Sequence, residues 1–283
     1  MNILSRKHCI IGESPIWNEF DQKLYQVNGY GANEVCIIDI RTKEITVKKY
    51  DFSILAISFD KQGRMIISCK DVAFYLNCDG TREELYDTSE YSIRYGNDAK
   101  VGPDGRYYIG TQSRKRMGID NSIDGKLYSI DKSGKVKVVI DNMILSNGFD
   151  WSMDEKRFYH TDSDTEYIKE YLFDKLTGSC EYTGRKIKVD GIDGFTIDIQ
   201  DNIYAACWGR GHIAVVDTKD MIIKKYIKVP AKVTTSCAFA GENMNNLVVT
   251  TATLDTDIIG DSLAGYTFIC ENDIVGRKPF LFG

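Results

Sequence analysis

Pro103-Asp104-Gly105-Arg106-Tyr107-Tyr108-Ile109-Gly110 is a polar turn that runs directly into a short β-rich stretch. The same arrangement recurs at FDQKLYQV (20–27), KQGRMIIS (61–68), MDEKRFYH (153–160), QDNIYAAC (200–207) and NMNNLVVT (243–250), giving six copies that start roughly every 40 to 50 residues. A second pattern interleaves with it, an apolar run broken by a polar turn: EVCIIDIRTKEITV, VAFYLNCDGTREEL, KLYSIDKSGKVKVV, IKEYLFDKLTGSCEY, IAVVDTKDMIIKKY and YTFICENDIVGRKP, again six copies. Each unit thus holds four short strands joined by tight turns and rich in Val, Ile, Tyr and Phe, the residues that suit a pleated, half-buried surface. Helical periodicity is nowhere sustained. Four strands per unit at this period predict a propeller blade. The expected fold is therefore all-β, a six-bladed β-propeller with four antiparallel strands per blade and one domain over residues 1–283. A β-sandwich of many short strands would not explain six registered copies. Residues 1–9 precede the first unit and are expected to pair at the outer edge of the last blade, closing the ring.

Composition narrows the class of function. The 283 residues carry a net charge of -5, with 43% hydrophobic residues and 11% aromatics, enough for a substantial core. An acidic balance argues against nucleic-acid and anionic-membrane partners, whose phosphates need a basic face. Arg6 and Lys7 near the start are not followed by the apolar run of a signal peptide, and no stretch is long and apolar enough for a membrane span. The eight cysteines include no C-x-x-C, and several sit in apolar runs such as VCII and YAACW. There they read as reduced core thiols, which points to the cytoplasm. Oligomeric state is not legible.

Polar residues at the strand starts carry the chemistry. In a blade the first strand is innermost and begins at the central channel. Seven residues before Asp104 stands Asn97; seven before Asp154 stands Asn147; seven before Gln200, which holds the same turn position, stands Asp193. In the first blade the place belongs, with one extra residue, to Glu13 of GESPIW. A circular fold brings these four to one end of the channel. Two carboxylates and two carboxamides in a narrow channel are costly unless a positive charge neutralises them. A hard divalent cation fits, and all-oxygen ligation favours Ca²⁺, Mg²⁺ or Mn²⁺ over Zn²⁺. Ca²⁺ is the expected ion, with Mg²⁺, Mn²⁺ and Zn²⁺ as alternatives. Any one of these residues alone would read as a turn or strand-end residue.

Loops between second and third strands reach the same end: 28–33, 111–125, 163–166, 208–211 and 252–263. Long loops over a site are candidate lids. Arg114, Lys115 and Arg116 lie in one of them, read as a solvated face or as attraction for an anionic substrate or product. Asp255, Asp257 and Asp261 lie in another and read as solvated or as a second, weak cation site. His8, His160 and His212 belong to different blades and no G-x-S-x-G occurs, so a serine-hydrolase arrangement is not expected.

With these residues in view, the chain resembles the senescence-marker-protein/regucalcin/gluconolactonase family over nearly its whole length. The resemblance rests on Gly12-Glu13-Ser14-Pro15-Ile16-Trp17, Asn97-Asp98-Ala99-Lys100 leading into Pro103-Asp104-Gly105-Arg106, Ser146-Asn147-Gly148-Phe149-Asp150-Trp151, Asp193-Gly194, Thr235-Ser236-Cys237-Ala238-Phe239 and Ala264-Gly265, in this order. It implies one divalent metal held by Glu13, Asn147 and Asp193, with Asn97 beside it contacting substrate. It also implies hydrolysis of a small lactone, chiefly a sugar (aldono)lactone, with Asp193 as general base. The family's arginine lies two residues before the Asn-Asp pair; here Arg94 lies one further back, and it is the candidate substrate contact beside Asn97. Gln26-Val27-Asn28 stands where the family often has an aspartate, and the acidic sugar contact ahead of Gly125-Lys126-Leu127-Tyr128 has no match. Other readings are a cation-binding regulatory propeller without turnover, a lactone-binding sensor, or a related esterase or organophosphate hydrolase.

Overall fold

Every repeat folds as four antiparallel strands, and six such sheets stand around a central channel as a six-bladed β-propeller. The computed structural model describes all residues except Cys78, Asp257, Ile258 and Asn272. The innermost strands are Gly12–Asn18, Ala56–Phe59, Gly96–Val101, Ser146–Trp151, Ile192–Ile197 and Thr234–Ala240. A single 3₁₀ turn, Ser163–Thr165, interrupts the β architecture among the described residues. Among the described residues no helix is long and apolar enough to cross a membrane.

Packing explains the sequence pattern. A blade is covered by a neighbour on both faces, so inner and second strands such as Ser146–Trp151 and Asn202–Cys207 are buried at every position. The second strand Asn202–Cys207 accordingly reads as a nearly continuous apolar run rather than an alternating one. Outer strands such as Ile45–Lys49 and Arg82–Glu84 are exposed throughout, and their charges guard the sheet edge against pairing with another chain. Between the third and fourth blades Tyr108, Phe149, Trp151, Phe158 and Phe173 form one aromatic wedge. Cys9, Cys36, Cys69, Cys207 and Cys237 are buried free thiols.

The ring closes as the sequence predicts. Asn2–Ser5 pairs antiparallel with Thr267–Glu271 and becomes the outer strand of the sixth blade. Only the first half of YTFICENDIVGRKP is therefore a strand. The chain beyond it crosses the far end of the channel as a strap: Gly276 bridges Asp198 of the fifth blade, Phe282 bridges Asp60 of the second, and the Gly283 amide donates to the Gly105 carbonyl of the third at 3.0 Å.

One backbone feature prepares the site. Inner and second strands slip register through a bulge at Glu13/Ile16, Gly96/Ala99, Asn147/Phe149, Ile192/Phe195 and Thr234/Ser236. The second blade alone, Ala56–Phe59 against Met65–Ser68, runs without one. A bulge places two residues opposite one and re-aims side chains. Each slip falls where the inner strand enters the channel.

Candidate active site

Glu13, Asn97, Asn147 and Asp193 start the inner strands of the first, third, fourth and fifth blades, and all four line one cavity of 610 Å³. Asn147 and Asp193 are buried; Glu13 and Asn97 are half-buried and face the channel. Their hydrogen bonds knit adjacent blades. Asn147 Nδ2 donates to Asp193 Oδ1, and Asn97 Nδ2 donates to the Ser146 carbonyl at 3.0 Å. The Ser14 amide donates to Glu13 Oε2 at 3.1 Å, and the Gly148 amide to Asn147 Oδ1 at 3.1 Å.

A fifth polar residue joins them. Asp98 also lines the cavity, although strict alternation along a strand would send it away from Asn97. The bulge at Gly96/Ala99 is the reason. Single-sequence reading cannot see a bulge, but one signal was present: the positions after Asn147 and Asp193 are glycines. A Cβ on Gly148 would sit 2.5 Å from the Asp193 carbonyl oxygen, and one on Gly194 would sit 2.3 Å from Ser236 Oγ. In the fourth and fifth blades the residue after the channel-facing group meets crowded space and is glycine; the third blade has an aspartate at that position.

The electrostatics of this floor are strained. Burial, then the nearby charges of Asp193 and Asp98, hold Glu13 well above the usual carboxylate range. Burial, then Asp98, push Asp193 up to about 8, against the opposing effects of its bond to Asn147 and of Arg116. Asp98 is raised by burial, and Lys100 works against the shift. Two of the cations near this floor are already paired with other carboxylates. Lys100 Nζ lies 3.2 Å from Asp150 Oδ2 and donates to the Phe195 carbonyl at 3.0 Å. Arg116 pairs with Asp164 at 3.5 Å. Below Lys100, Arg277 from the strap donates to the Trp151 carbonyl at 2.8 Å and to Asp150, which Lys100 and Arg277 hold below its ordinary range despite burial.

Among the described residues no three His, Cys, Asp or Glu side chains form a cation site by themselves, so a cation here would need amide oxygens beside Glu13 and Asp193. The donor set fits a hard ion: carboxylates and carboxamides, with no cysteine or histidine in the lining.

Arg94 is turned away. It is exposed, its Nε donates to Ser92 Oγ at 2.9 Å, and the cavity wall contains Tyr95 in its stead. The extra residue before Asn97 is responsible, because Tyr95 adopts φ 59° and swings the chain around. Gln26 is also outside the cavity, buried against Cys9 and Thr267. All five loops foreseen at this end contribute wall residues, among them Tyr30, Met117, Ser163, Trp208 and Leu254. Ser163 Oγ is enclosed without a hydrogen-bond partner. Of the basic cluster only Arg116 faces the cavity, while Arg114 is held by Asp120 and Asp124. Of the acidic trio Asp255 lines the wall, Asp261 caps the Lys232 amide at 2.7 Å, and Asp257 lies outside the described residues. The histidines sit elsewhere: His8 on Ala264, His212 against Tyr226, and His160 bonded to Ser146 Oγ, its pKa pushed down by burial to about 3.

Known proteins share both sequence and architecture. Residues 11–253 match the model of the SMP-30/Gluconolactonase/LRE-like region. The putative sugar lactone lactonase YvrE of Bacillus subtilis (strain 168) is 31% identical over 97% of this chain and 95% of its own length. Regucalcin of Xenopus laevis is 31% identical over 86% of this chain and 83% of its own. A calcium-binding protein, regucalcin, from Agrobacterium tumefaciens superposes with a TM-score of 0.87 at 24% identity, covering 99% of this chain and 96% of that one. The extent of the sequence match, together with the six-bladed architecture, places the chain in the SMP-30/gluconolactonase/LRE-like family.

Proposed function

We propose that this protein is a divalent-cation-dependent lactonase, a hydrolase that opens a cyclic ester to a hydroxy acid. The observation that carries the reading is the convergence of Glu13, Asp98 and Asp193 with Asn97 and Asn147 on the floor of one cavity, with Lys100 and Arg116 already paired to other carboxylates. Buried like charges of this kind are retained where something positive offsets them. The relative named as a putative sugar lactone lactonase supports the reaction class.

Glu13, Asn147 and Asp193 would hold the ion. Once bound, a divalent cation supplies Lewis-acid polarisation of the ester carbonyl and stabilises the developing oxyanion. The rest falls to the chain. Asp193 takes the proton of the attacking water as general base; burial, then Asp98, push its carboxyl up to about 8, within reach of neutrality, where a base is efficient. A neighbouring positive charge lowers that value and keeps the carboxylate ionised. Asn97 and the unpartnered Ser163 hydroxyl orient the ring oxygens, and Asp98 fixes the field beneath Asp193. Arg116, on the cavity wall, is placed to attract the carboxylate that forms.

Turnover of a lactone panel in EDTA and with added Ca²⁺, Mg²⁺, Mn²⁺ or Zn²⁺ tests this, alongside calorimetric titration of each ion. Wild type should turn over only with a cation, and Asp193→Ala should lower kcat by about 10²–10⁴. Ion binding without turnover of any lactone in wild type would leave a cation-binding propeller and remove the enzyme.

A further inference from the structure

The cavity walls above the acidic floor are built for something other than a bare sugar. The volume of 610 Å³ lies within the roughly 300–1,000 Å³ of pockets that enclose drug-sized ligands, and a monosaccharide lactone is a fraction of that size. Around the upper wall stand Tyr30, Ile54, Leu55, Met117, Trp208 and Leu254. Tyr30 is 68% exposed and Met117 37%, so neither is spent on the core. Among the described non-glycine residues with positive φ, only Tyr30 (53°) and Tyr95 (59°) are aromatic, and both line this cavity. A bulky residue in that conformation is strained, and glycine would be cheaper; Tyr30 indeed stands between Gly29 and Gly31. The strain is retained where it presents an aromatic ring at the cavity mouth.

Aromatic rings also stack on sugars, but Ile54, Leu55, Met117 and Leu254 offer a hydroxyl no side-chain partner. Ser53, Lys70, Gln112 and Asp255 serve other parts of the lining, but a hydroxyl set against this apolar patch would go unpaired, at a cost well above that of an apolar group. Arg94, the expected ring-orienting cation, faces solvent instead. We infer that the substrate is a lactone bearing an apolar substituent, alkyl or aryl, with its ester on the acidic floor and its substituent against Tyr30, Met117 and Trp208. This inference rests on the lactonase reading above and narrows it.

Three substrates separate the possibilities: δ-valerolactone, δ-nonalactone, which adds a butyl chain to the same ring, and D-glucono-δ-lactone, each with the most activating ion. Each fully buried methylene is worth about fourfold, so partial burial of the chain should raise kcat/KM for δ-nonalactone over δ-valerolactone about tenfold or more. In Tyr30→Ser and Met117→Ser that ratio should fall towards one, mainly through KM. Leu176→Ser, exposed at the far end of the propeller, should preserve it, and melting curves check that each variant is folded. A ratio near one in wild type, a ratio unchanged in folded Tyr30→Ser and Met117→Ser, or a clear preference for D-glucono-δ-lactone would overturn the apolar substituent while leaving lactonase activity standing. Failure of wild type to open any of the three would sink both.

Discussion

In the absence of a divalent ion, Asp193→Asn is expected to stabilise the protein. Asp193 is buried, and its carboxyl moves from 3.8 up to about 8, first through burial and then through Asp98. A raised pKa in an acid means that the folded state binds a proton the unfolded chain has released. The penalty is absent below the unfolded value, grows as pH rises from about 4 to about 8, and is constant above that. At about 1.4 kcal/mol per pKa unit the upper limit is roughly 6 kcal/mol. Solvent penetration and relaxation, as in other buried sites, reduce the expected gain to about 1–3 kcal/mol. Asparagine keeps the shape and can still accept from Asn147 Nδ2, so little else is lost. It also relieves Glu13, for which Asp193 is the foremost neighbouring charge. For a protein of this size the gain corresponds to about 2–8 °C in Tm. Thermal melts in EDTA should show Asp193→Asn above wild type at pH 8, with the gap closing towards pH 4. Millimolar Ca²⁺ should raise wild type and leave the variant nearly unmoved. A variant that melts below wild type in EDTA at pH 8, with a gap indifferent to pH, would refute the claim that these carboxylates repel one another across the channel.

Three further outcomes follow from named contacts. Gly148→Ala places a Cβ 2.5 Å from the Asp193 carbonyl oxygen and 2.6 Å from Phe195 Cδ1; we expect a loss of about 1–3 kcal/mol by chemical denaturation and a larger proportional loss of lactone turnover, since the fourth and fifth inner strands must part. Arg277→Met removes one of the two cations facing buried Asp150 and should cost about 3–5 kcal/mol at pH 7. Because Asp150 is held below 3.8 in the fold, that cost should shrink as pH falls through the acid range and the carboxyl is protonated; melts at pH 7 and pH 3 measure it. Glu13→Gln should keep the fold, judged by circular dichroism, yet weaken divalent-ion binding about tenfold or more by calorimetry, since one of two expected carboxylate ligands becomes neutral.

The ring itself was legible because a propeller is written locally. Each blade repeats the same turn and the same β-rich runs, and counting back from the turns locates Glu13, Asn97, Asn147 and Asp193, which the structure sets around one cavity. Strand alternation and repeat spacing are short-range properties, and a single chain displays them without help. Three features depend on backbone geometry that the pattern of residues does not display. Asp98 reaches the channel through a bulge set by pairing with the next strand. Arg94 leaves it because one added residue bends the backbone at Tyr95. Arg277 reaches Asp150 across 126 intervening residues through a strap that looks, in sequence, like the end of a sixth blade. A change of one residue in register reverses which side of the strand a side chain occupies. The pattern of residues therefore decides that a polar channel exists, and the closed ring decides which polar groups share it.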